Sequence, residues 1–430
     1  MTLSHEGVAP GRIFGFNLMV VIKLRIPEDK TVTTTPDTPA TPSVQKPASP
    51  TLTSLSQSQI DAIRRIPPHS QADYSAIDAR RSVSTFTDPD YFERERSGLF
   101  GTLPVPVTLS ALVPEPGCVI ANDSYGIPLV IARDRDGTVR AFLNACSHKG
   151  AKLVEDCEPR KAARLTCPYH AWSFAFDGKL LGVPRIETIA HFDKAERPLA
   201  QLACHESGGI IWVGLDRHRT YDFSHLDGNL ATDLDALALS SGHVYGRRQF
   251  ELHANWKLVL EPFLEGYHVQ RLHAQSVGPL FADVPTITDQ IGPHIRQTSG
   301  KANFDPALIT PEENIHKSVT FAYQLFPNGV IVTSPYYISL MILAPRAANR
   351  TIVDYFMLTR QAPDNAKAED LFARSYEIIQ AVFGGEDFRA AEISQAGLES
   401  GALEDVIYCG LEDKIPLYYE RLDAALQRAT

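Results

Sequence analysis

The sequence predicts an α+β protein with two ordered units: a small antiparallel-β unit, then a larger one in which an antiparallel sheet wraps around long helices. Three observations predict it. Between residues 117 and 217, short apolar runs are broken by Asp136-Gly137 and Asp177-Gly178, the turn chemistry of hairpins. Residues 319–326, 330–343 and 351–358 form three further β-rich runs, parted by Pro327-Asn328-Gly329 and by residues 346–350. From 369 to 383, Leu371, Phe372, Tyr376, Ile379, Val382 and Phe383 recur at helical spacing, and Gly384-Gly385 reads as the stop.

The elements follow in order. Phe14 to Ile22 is apolar but far shorter than the ~20 residues that span a membrane, and no clear cleavage site follows it. Residues 31–58 are rich in Thr, Pro and Ser, too poor in apolar surface to offset the entropy of ordering, so residues 1–78 are expected to be a disordered tail. Residues 88–99 read as a helix with Asp88 as N-cap and Pro89 at its first position, within a helical stretch at 79–117. The β unit spans 118–217: residues 127–133 and 139–143 form a hairpin leading to Cys146. Trp172, Phe174 and Phe176 alternate after His170, and residues 209–215 close the set as a buried strand with Trp212 in the core. In the second unit, 218–430, residues 250–253 read as a strand. Asn255 can cap a helix through His268, which Pro262 should bend or break because it lacks an N–H and clashes one turn back.

Composition narrows the class. The chain has 430 residues, 44% of them apolar, and a formal charge of -10 from dispersed acids, which argues against nucleic acid as a partner. Its six cysteines (118, 146, 157, 167, 204 and 409) show no disulfide-framework spacing, consistent with a reducing cytoplasm and a soluble, non-membrane protein.

Two constellations carry chemistry. Cys146-Ser-His148 and Cys167-Pro-Tyr-His170 stand eighteen residues apart, a C-x-H and a C-x-x-H pair on two loops that can close on one site. Two thiolates and two imidazoles suit tetrahedral zinc or a Rieske [2Fe–2S] cluster. In the cluster the cysteines hold one iron and the histidines the other, which the mixed Cys-His…Cys-His order favours; a zinc finger more often segregates its cysteines from its histidines. The second constellation is Glu265-Gly-Tyr-His268-Val-Gln-Arg-Leu-His273. Histidines five apart lie about 140° apart on an ideal helix, so a ligand pair here requires a distorted or ending helix. A Rieske cluster moves one electron at a time, so a catalytic partner is expected. Two histidines and a carboxylate, with positions left open, form the non-haem Fe(II) oxygenase arrangement. The remaining histidines, His205, His218, His225, His243, His253, His294 and His316, have no ligand-like spacing and read as surface or packing residues.

From about residue 83 to 420 the chain resembles the large (α) subunit of Rieske non-haem iron ring-hydroxylating oxygenases. The resemblance rests on Thr87-Asp-Pro-Asp-Tyr-Phe92, the cluster motif ending Cys167-Pro-Tyr-His-Ala-Trp172, Asn255-Trp-Lys257, Glu265-x-x-His-x4-His273, and Glu386-Asp-x4-Glu-Ile-x-Gln-x-Gly-Leu-x-Ser400. It departs at Pro262, where many relatives have Asn, and at Lys149, where Arg is common. The resemblance implies a Rieske domain at 118–217 and a helix-grip catalytic domain at 218–430. It implies Cys146, His148, Cys167 and His170 as cluster ligands, and His268 and His273 as iron ligands. The third ligand would be Asp387, ahead of Glu392-Ile-Ser-Gln395, with adjacent Glu386 the alternative by a register shift. It further implies that Glu265 bridges His170 of one subunit to His268 of its neighbour in a trimer, with or without β subunits; the plainer reading is an acid satisfied by Tyr267 or backbone.

The function expected is a terminal oxygenase that takes electrons through the cluster and activates O2 at a mononuclear Fe(II). No G-x-G-x-x-G fingerprint is present, so electrons from NAD(P)H would come through a separate reductase, with or without a ferredoxin. Aromatic hydroxylation leads, and monooxygenation with O- or N-demethylation, including of quaternary ammonium substrates, is the alternative. A Rieske electron carrier without an oxygenase site and a zinc-stabilised binding module are the rivals from other classes.

Overall fold

The computed structural model describes residues 50–67, 75–282, 286–302 and 304–429. The apolar run at 14–22 and most of the Thr/Pro/Ser-rich segment lie outside these residues. Order begins earlier than residue 79: helix α1 (Gln57–Arg64) opens on a capping box in which Ser56 and Gln59 satisfy each other's backbone N–H. The tail expectation fails here because the composition of 31–58 was extended to residue 78, past this cap and the apolar Ala62 and Ile63 that follow it, both buried. Gln59 also donates to the Tyr323 hydroxyl (2.8 Å) and to the Asp233 carbonyl, docking α1 on the second unit.

Helix α2 (Pro89–Glu95) forms as the sequence predicts, with the Asp88 side chain accepting from the Asp90 N–H. The stretch called helical at 79–117 is not wholly so. Val105–Leu109 is a buried strand paired with Ile210–Val213, which also pairs with Cys204–Ser207. All five residues of this strand are inward or covered, so it shows no alternation to read. A five-stranded antiparallel sheet (strands at 201–202, 139–143, 129–133, 118–122 and 160–161) and a three-stranded one (165–166, 173–174, 180–182) complete the unit. Trp172, Phe174 and Phe176 are buried with Phe142, Leu165 and both motif cysteines in one small core.

The second unit is built on a seven-stranded antiparallel sheet of β1 (His243–Leu252), β2 (Ile287–Ile291), β3 (His294–Gly300), β4 (Val319–Leu325), β5 (Gly329–Thr333), β6 (Ile338–Ala347) and β7 (Arg350–Thr359). Its order is β1-β7-β6-β5-β4-β3-β2. The run at 330–343 is therefore two strands, split at Ser334-Pro335, and β2 and β3 escape prediction because β3 buries Arg296, Gln297 and Thr298 rather than an apolar stripe. The two units meet at Asp354 of β7, whose carboxylate accepts from Asn122 (3.2 Å), Ser124 and, from β1, Gln249 (2.9 Å).

Helix α3 (Trp256–Leu260) is capped by Asn255 and gives way at Pro262 to a 3-10 turn, Glu261–Leu264. A short α4 (Val269–Leu272) follows. Helix α5 (Ala366–Val382) does not stop at Gly384-Gly385. A π-helical turn, Phe383–Asp387, carries it into α6 (Phe388–Glu399), and neither glycine takes a positive φ. The last helix, α7 (Lys414–Ala429), packs back onto the 3-10 turn: Tyr419 donates to Glu261 (2.6 Å), as does Tyr408 (2.8 Å). Burial, opposed by these two donors, pushes the Glu261 carboxyl up to about 7. Beside it, Lys257 and Glu95 form a fully buried ion pair at 2.6 Å, which Trp256 joins through its ring N–H. No helix among the described residues is long and apolar enough to cross a membrane.

Candidate functional site

The cysteine–histidine loops are built alike. In the first, the Gly150 N–H donates to the Cys146 carbonyl and the Cys146 N–H to the Ala151 carbonyl. In the second, Ala171 donates to Cys167 and Cys167 to Trp172, residue for residue the same pattern. Closing the turn requires a left-handed residue at the fifth position, Gly150 (φ 76°) and Ala171 (φ 57°); the alanine carries a cost on the order of 1 kcal/mol that the turn bonds offset. The result buries Cys146 and Cys167 and leaves His148 and His170 exposed, their rings 4.8 Å apart between centroids. Trp172 stacks on His148 at 4.6 Å, and Tyr169 lies against His170 at 3.7 Å, fixing both rings from behind. All six cysteines are free thiols. Two thiols on the buried side and two imidazoles on the open side are the donor set a Rieske cluster needs.

The second constellation depends on the break at Pro262. The 3-10 turn ends at Glu265, which is extended (φ −147°, ψ 171°); His268 precedes α4 and His273 ends it. Helix geometry that is not continuous brings the two imidazoles together, 5.0 Å between centroids, as the five-residue spacing demands. Asp387 meets them: its Oδ1 lies 3.5 Å from His268 Nε2 and 3.2 Å from His273 Nε2. One ligand atom from each of the three falls within 4.8 Å of the others. Asp387 is 1% exposed and neither of its oxygens has a hydrogen-bond partner among the described residues. A buried carboxylate left unpaired costs several kcal/mol unless a cation lies against it, so this trio fits a metal ion, and two imidazoles with one carboxylate fit non-haem Fe(II).

Each imidazole is held from its other nitrogen by a carboxylate. Glu265 accepts from His268 Nδ1 (2.6 Å) and from the His268 backbone N–H (3.0 Å). Glu386 accepts from His273 Nδ1 and from the Ser276 hydroxyl (2.7 Å). With Nδ1 donating, Nε2 presents its lone pair to the common point, the orientation that an acid behind the ring gives to a metal-bound histidine. Burial disfavours a charged His273, but Asp387 and Glu386 outweigh it and raise its pKa, so the site favours positive charge. Of the two adjacent acids, Asp387 thus faces both Nε2 atoms and Glu386 stands behind one ring. The orienting role of Glu386 was not legible in the sequence; only the adjacency of two acids hinted at two tasks.

The motif after Asp387 secures α6. Glu392 accepts from the His253 N–H (2.9 Å) and Gln395 from the Asn255 N–H (3.0 Å), while Asn255 also reaches the carbonyls of Phe86 and Ala348. The helix carrying Asp387 is thereby pinned to the start of the segment carrying both histidines. Within the chain Glu265 takes its hydrogen bonds from His268, and Tyr267 is exposed rather than its partner. Tyr336 and Tyr337 lie in the break between β5 and β6, so strand alternation does not govern them.

Two family models and several known proteins match the chain. The Rieske [2Fe-2S] domain family matches residues 104–193, taking in the strand at 105–109, and the ring hydroxylating alpha subunit (catalytic domain) family matches 239–428. The carnitine monooxygenase oxygenase subunit of Escherichia coli is 26% identical over 326 residues, covering 73% of this chain and 83% of its own. The chloroplastic choline monooxygenase of Beta vulgaris is 24% identical over 394 residues, 90% of this chain and 85% of its own. A crystal structure of CntA, a quaternary ammonium Rieske monooxygenase, shares the fold with a TM-score of 0.71 at 21% identity, covering 84% of this chain and 99% of that one. With both domains matched and both donor sets in place, the chain belongs to the Rieske non-haem iron oxygenases, as an α subunit carrying a Rieske cluster and a mononuclear iron.

Proposed function

We propose that this α subunit is a monooxygenase of methylated, quaternary ammonium substrates, the alternative rather than the leading expectation. The buried Asp387 carboxylate facing two Nε2 atoms without a hydrogen bond is the observation that carries the oxygenase reading. The substrate class is supported by relatives matching most of the chain and named for carnitine and choline, which weigh against aromatic hydroxylation.

In this reading Cys146 and Cys167 hold one cluster iron and His148 and His170 the other, while His268, His273 and Asp387 hold the mononuclear iron. Bound there, the metals supply one-electron transfer and O2 activation. The chain's own residues set the geometry: Glu265 and Glu386 fix the rings, and the pinned α6 fixes Asp387. The exposed His170 ring is free to meet Glu265 of a neighbouring subunit, so a homotrimer or α3β3 assembly completes the path. A reductase, with or without a ferredoxin, delivers the electrons from NAD(P)H. The domains would run from the strand at 105–109 to about 217 and from 218 to 430.

Turnover under 18O2 with a surrogate reductase tests this. Carnitine, choline and related N-methyl compounds should consume oxygen and give singly labelled product, with formaldehyde where a methyl group is lost. A doubly labelled cis-diol from an aromatic substrate, with no turnover of the ammonium panel, would return the reading to ring dihydroxylation.

A further inference from the structure

The segment that carries both site histidines is tied at two points to one face of the seven-stranded sheet. Before the histidines, the Phe263 carbonyl accepts from the side-chain amides of Gln297 on β3 (2.8 Å) and Gln324 on β4. After them, Phe281 forms an antiparallel bridge with Lys301, the residue that follows β3, and the Leu280 carbonyl accepts from the Ala302 N–H (3.0 Å). Gln297 and Lys301 are four residues apart, about 13 Å along an extended chain. His268 and His273 belong to the stretch held between these two ties.

Side chains alternate along a strand, so the face that holds Gln297 also holds Ser299. The Lys301 N–H donates to the Ser318 carbonyl (2.8 Å) and extends the ladder by one residue, which places Lys301 on that face too. On β4 the same face holds Gln324, Ala322 and Thr320, with Thr320 directly across from Ser299. Arg296 and Tyr323 take the opposite face and meet Asp233 there.

Two polar groups on the histidine side are left without a counterpart. The Lys301 ammonium lies over the Phe281 ring, 3.7 Å from its centroid, and makes no hydrogen bond or ion pair with any described residue. Burial pushes it down to about 8, and no carboxylate opposes that shift. The Thr320 hydroxyl is buried and has no hydrogen-bond partner among the described residues. Diagonal neighbours on paired strands stand about 7–8 Å apart, a gap that a lysine side chain can reach across. The ring attracts the ammonium from one side and leaves its N–H donors free for an acceptor. An ammonium partly withdrawn from water without an anion favours a ligand that brings one.

We propose that Lys301 and Thr320 bind a carboxylate of the substrate, which is then a zwitterion with a methylated ammonium at one end rather than a plain cation. This rests on the reading of the site as an oxygenase of quaternary ammonium compounds and narrows it. Carnitine-like compounds are favoured over choline, whose lone positive charge Lys301 repels.

Titration calorimetry on the full-length, metal-loaded protein tests it with carnitine and carnitinamide, which share the ammonium and differ by carboxylate against neutral amide. Carnitine should bind at least about tenfold more tightly. Lys301→Gln should shrink that preference to about twofold or less, and Lys301→Arg should restore most of it. Thr320→Val should weaken carnitine by about three- to tenfold, and Thr320→Ser should recover most of the loss. In turnover, KM for carnitine should lie below KM for choline. Equal binding of the two probes by the parent protein, a comparison that needs no variant to fold, would overturn the carboxylate site, as would a preference that survives Lys301→Gln. Turnover of choline alongside either result would leave the oxygenase reading standing; failure of every ammonium compound to bind would overturn both.

Discussion

On the proposed function, replacing Glu386 and Asp387 by alanine, one at a time, should separate a carboxylate that would hold metal from one that holds a histidine. Glu386 accepts two hydrogen bonds, from His273 Nδ1 and from Ser276. A hydrogen bond to a charged group contributes ~1.5–3 kcal/mol, but the Glu386 side chain is 29% exposed and water replaces part of each. The net loss in Glu386→Ala is about 1.5–2.5 kcal/mol, on the order of ten- to seventyfold in iron affinity, the range seen when an acid that orients a metal-bound histidine is removed. Asp387→Ala removes the one carboxylate at the two Nε2 atoms and should abolish the site. Iron quantitation by mass spectrometry, with the reduced cluster's EPR signal as internal reference, reads the difference. Glu386→Ala should keep about three irons per chain at saturating iron and Asp387→Ala about two. The reverse result, two irons in Glu386→Ala and three in Asp387→Ala, would refute the assignment and put the register one residue earlier.

Three further outcomes follow from the geometry. Glu265→Gln should load both metal centres yet lose nearly all turnover, because the amide cannot accept from two imidazoles as a carboxylate does; ordinary product formation would remove Glu265 from the electron path. Glu261 is held at about 7 against an ordinary 4.5, so its neutral form is the one the fold prefers: its stabilising effect is whole below pH 4.5 and is lost as pH rises through 7. Glu261→Gln, which keeps the acceptor for Tyr408 and Tyr419, should therefore be more stable than the parent at pH 8 by about 2–3 kcal/mol and differ little at pH 5, as urea unfolding would show. Lys257→Met leaves Glu95 buried without its cation and should cost about 3–5 kcal/mol, with Glu95→Gln in the same chain recovering part of the loss because Trp256 keeps its acceptor; an additive double variant would count against the pairing.

The parts of the site that short-range chemistry specifies were legible in the sequence. The two Cys–His loops, the Asn255 cap and the break at Pro262 are each decided within a few residues, and each forms as expected. Choosing between Glu386 and Asp387 was beyond it, since the two acids have equal claims on a helix N-terminus and only the positions of His268 and His273 distinguish them. Gly384-Gly385 misled for a related reason: glycine permits a left-handed stop without imposing one, and Phe250 packing against Gly384 favours a continued helix. Strand β3 was hidden because its buried polar groups answer partners far away in sequence, as Arg296 answers Asp233 at 2.6 Å. The ordered helix at 57–64 was masked by the Thr/Pro-rich residues before it.

The π turn sets a phase. It adds one residue to a helix without ending it, so every side chain downstream is advanced by about 100° relative to those upstream. Residues 366–399 therefore behave as one shaft cut in two and rejoined with an offset. The upstream half meets the sheet through Tyr376, which faces Tyr355 of β7, and the downstream half is tied to the start of the histidine segment through Gln395. Asp387 sits at the joint, where neither alignment alone fixes its direction. Removing one residue there would leave two well-packed helical halves competing over a single phase, and the carboxylate, not the core, would give way.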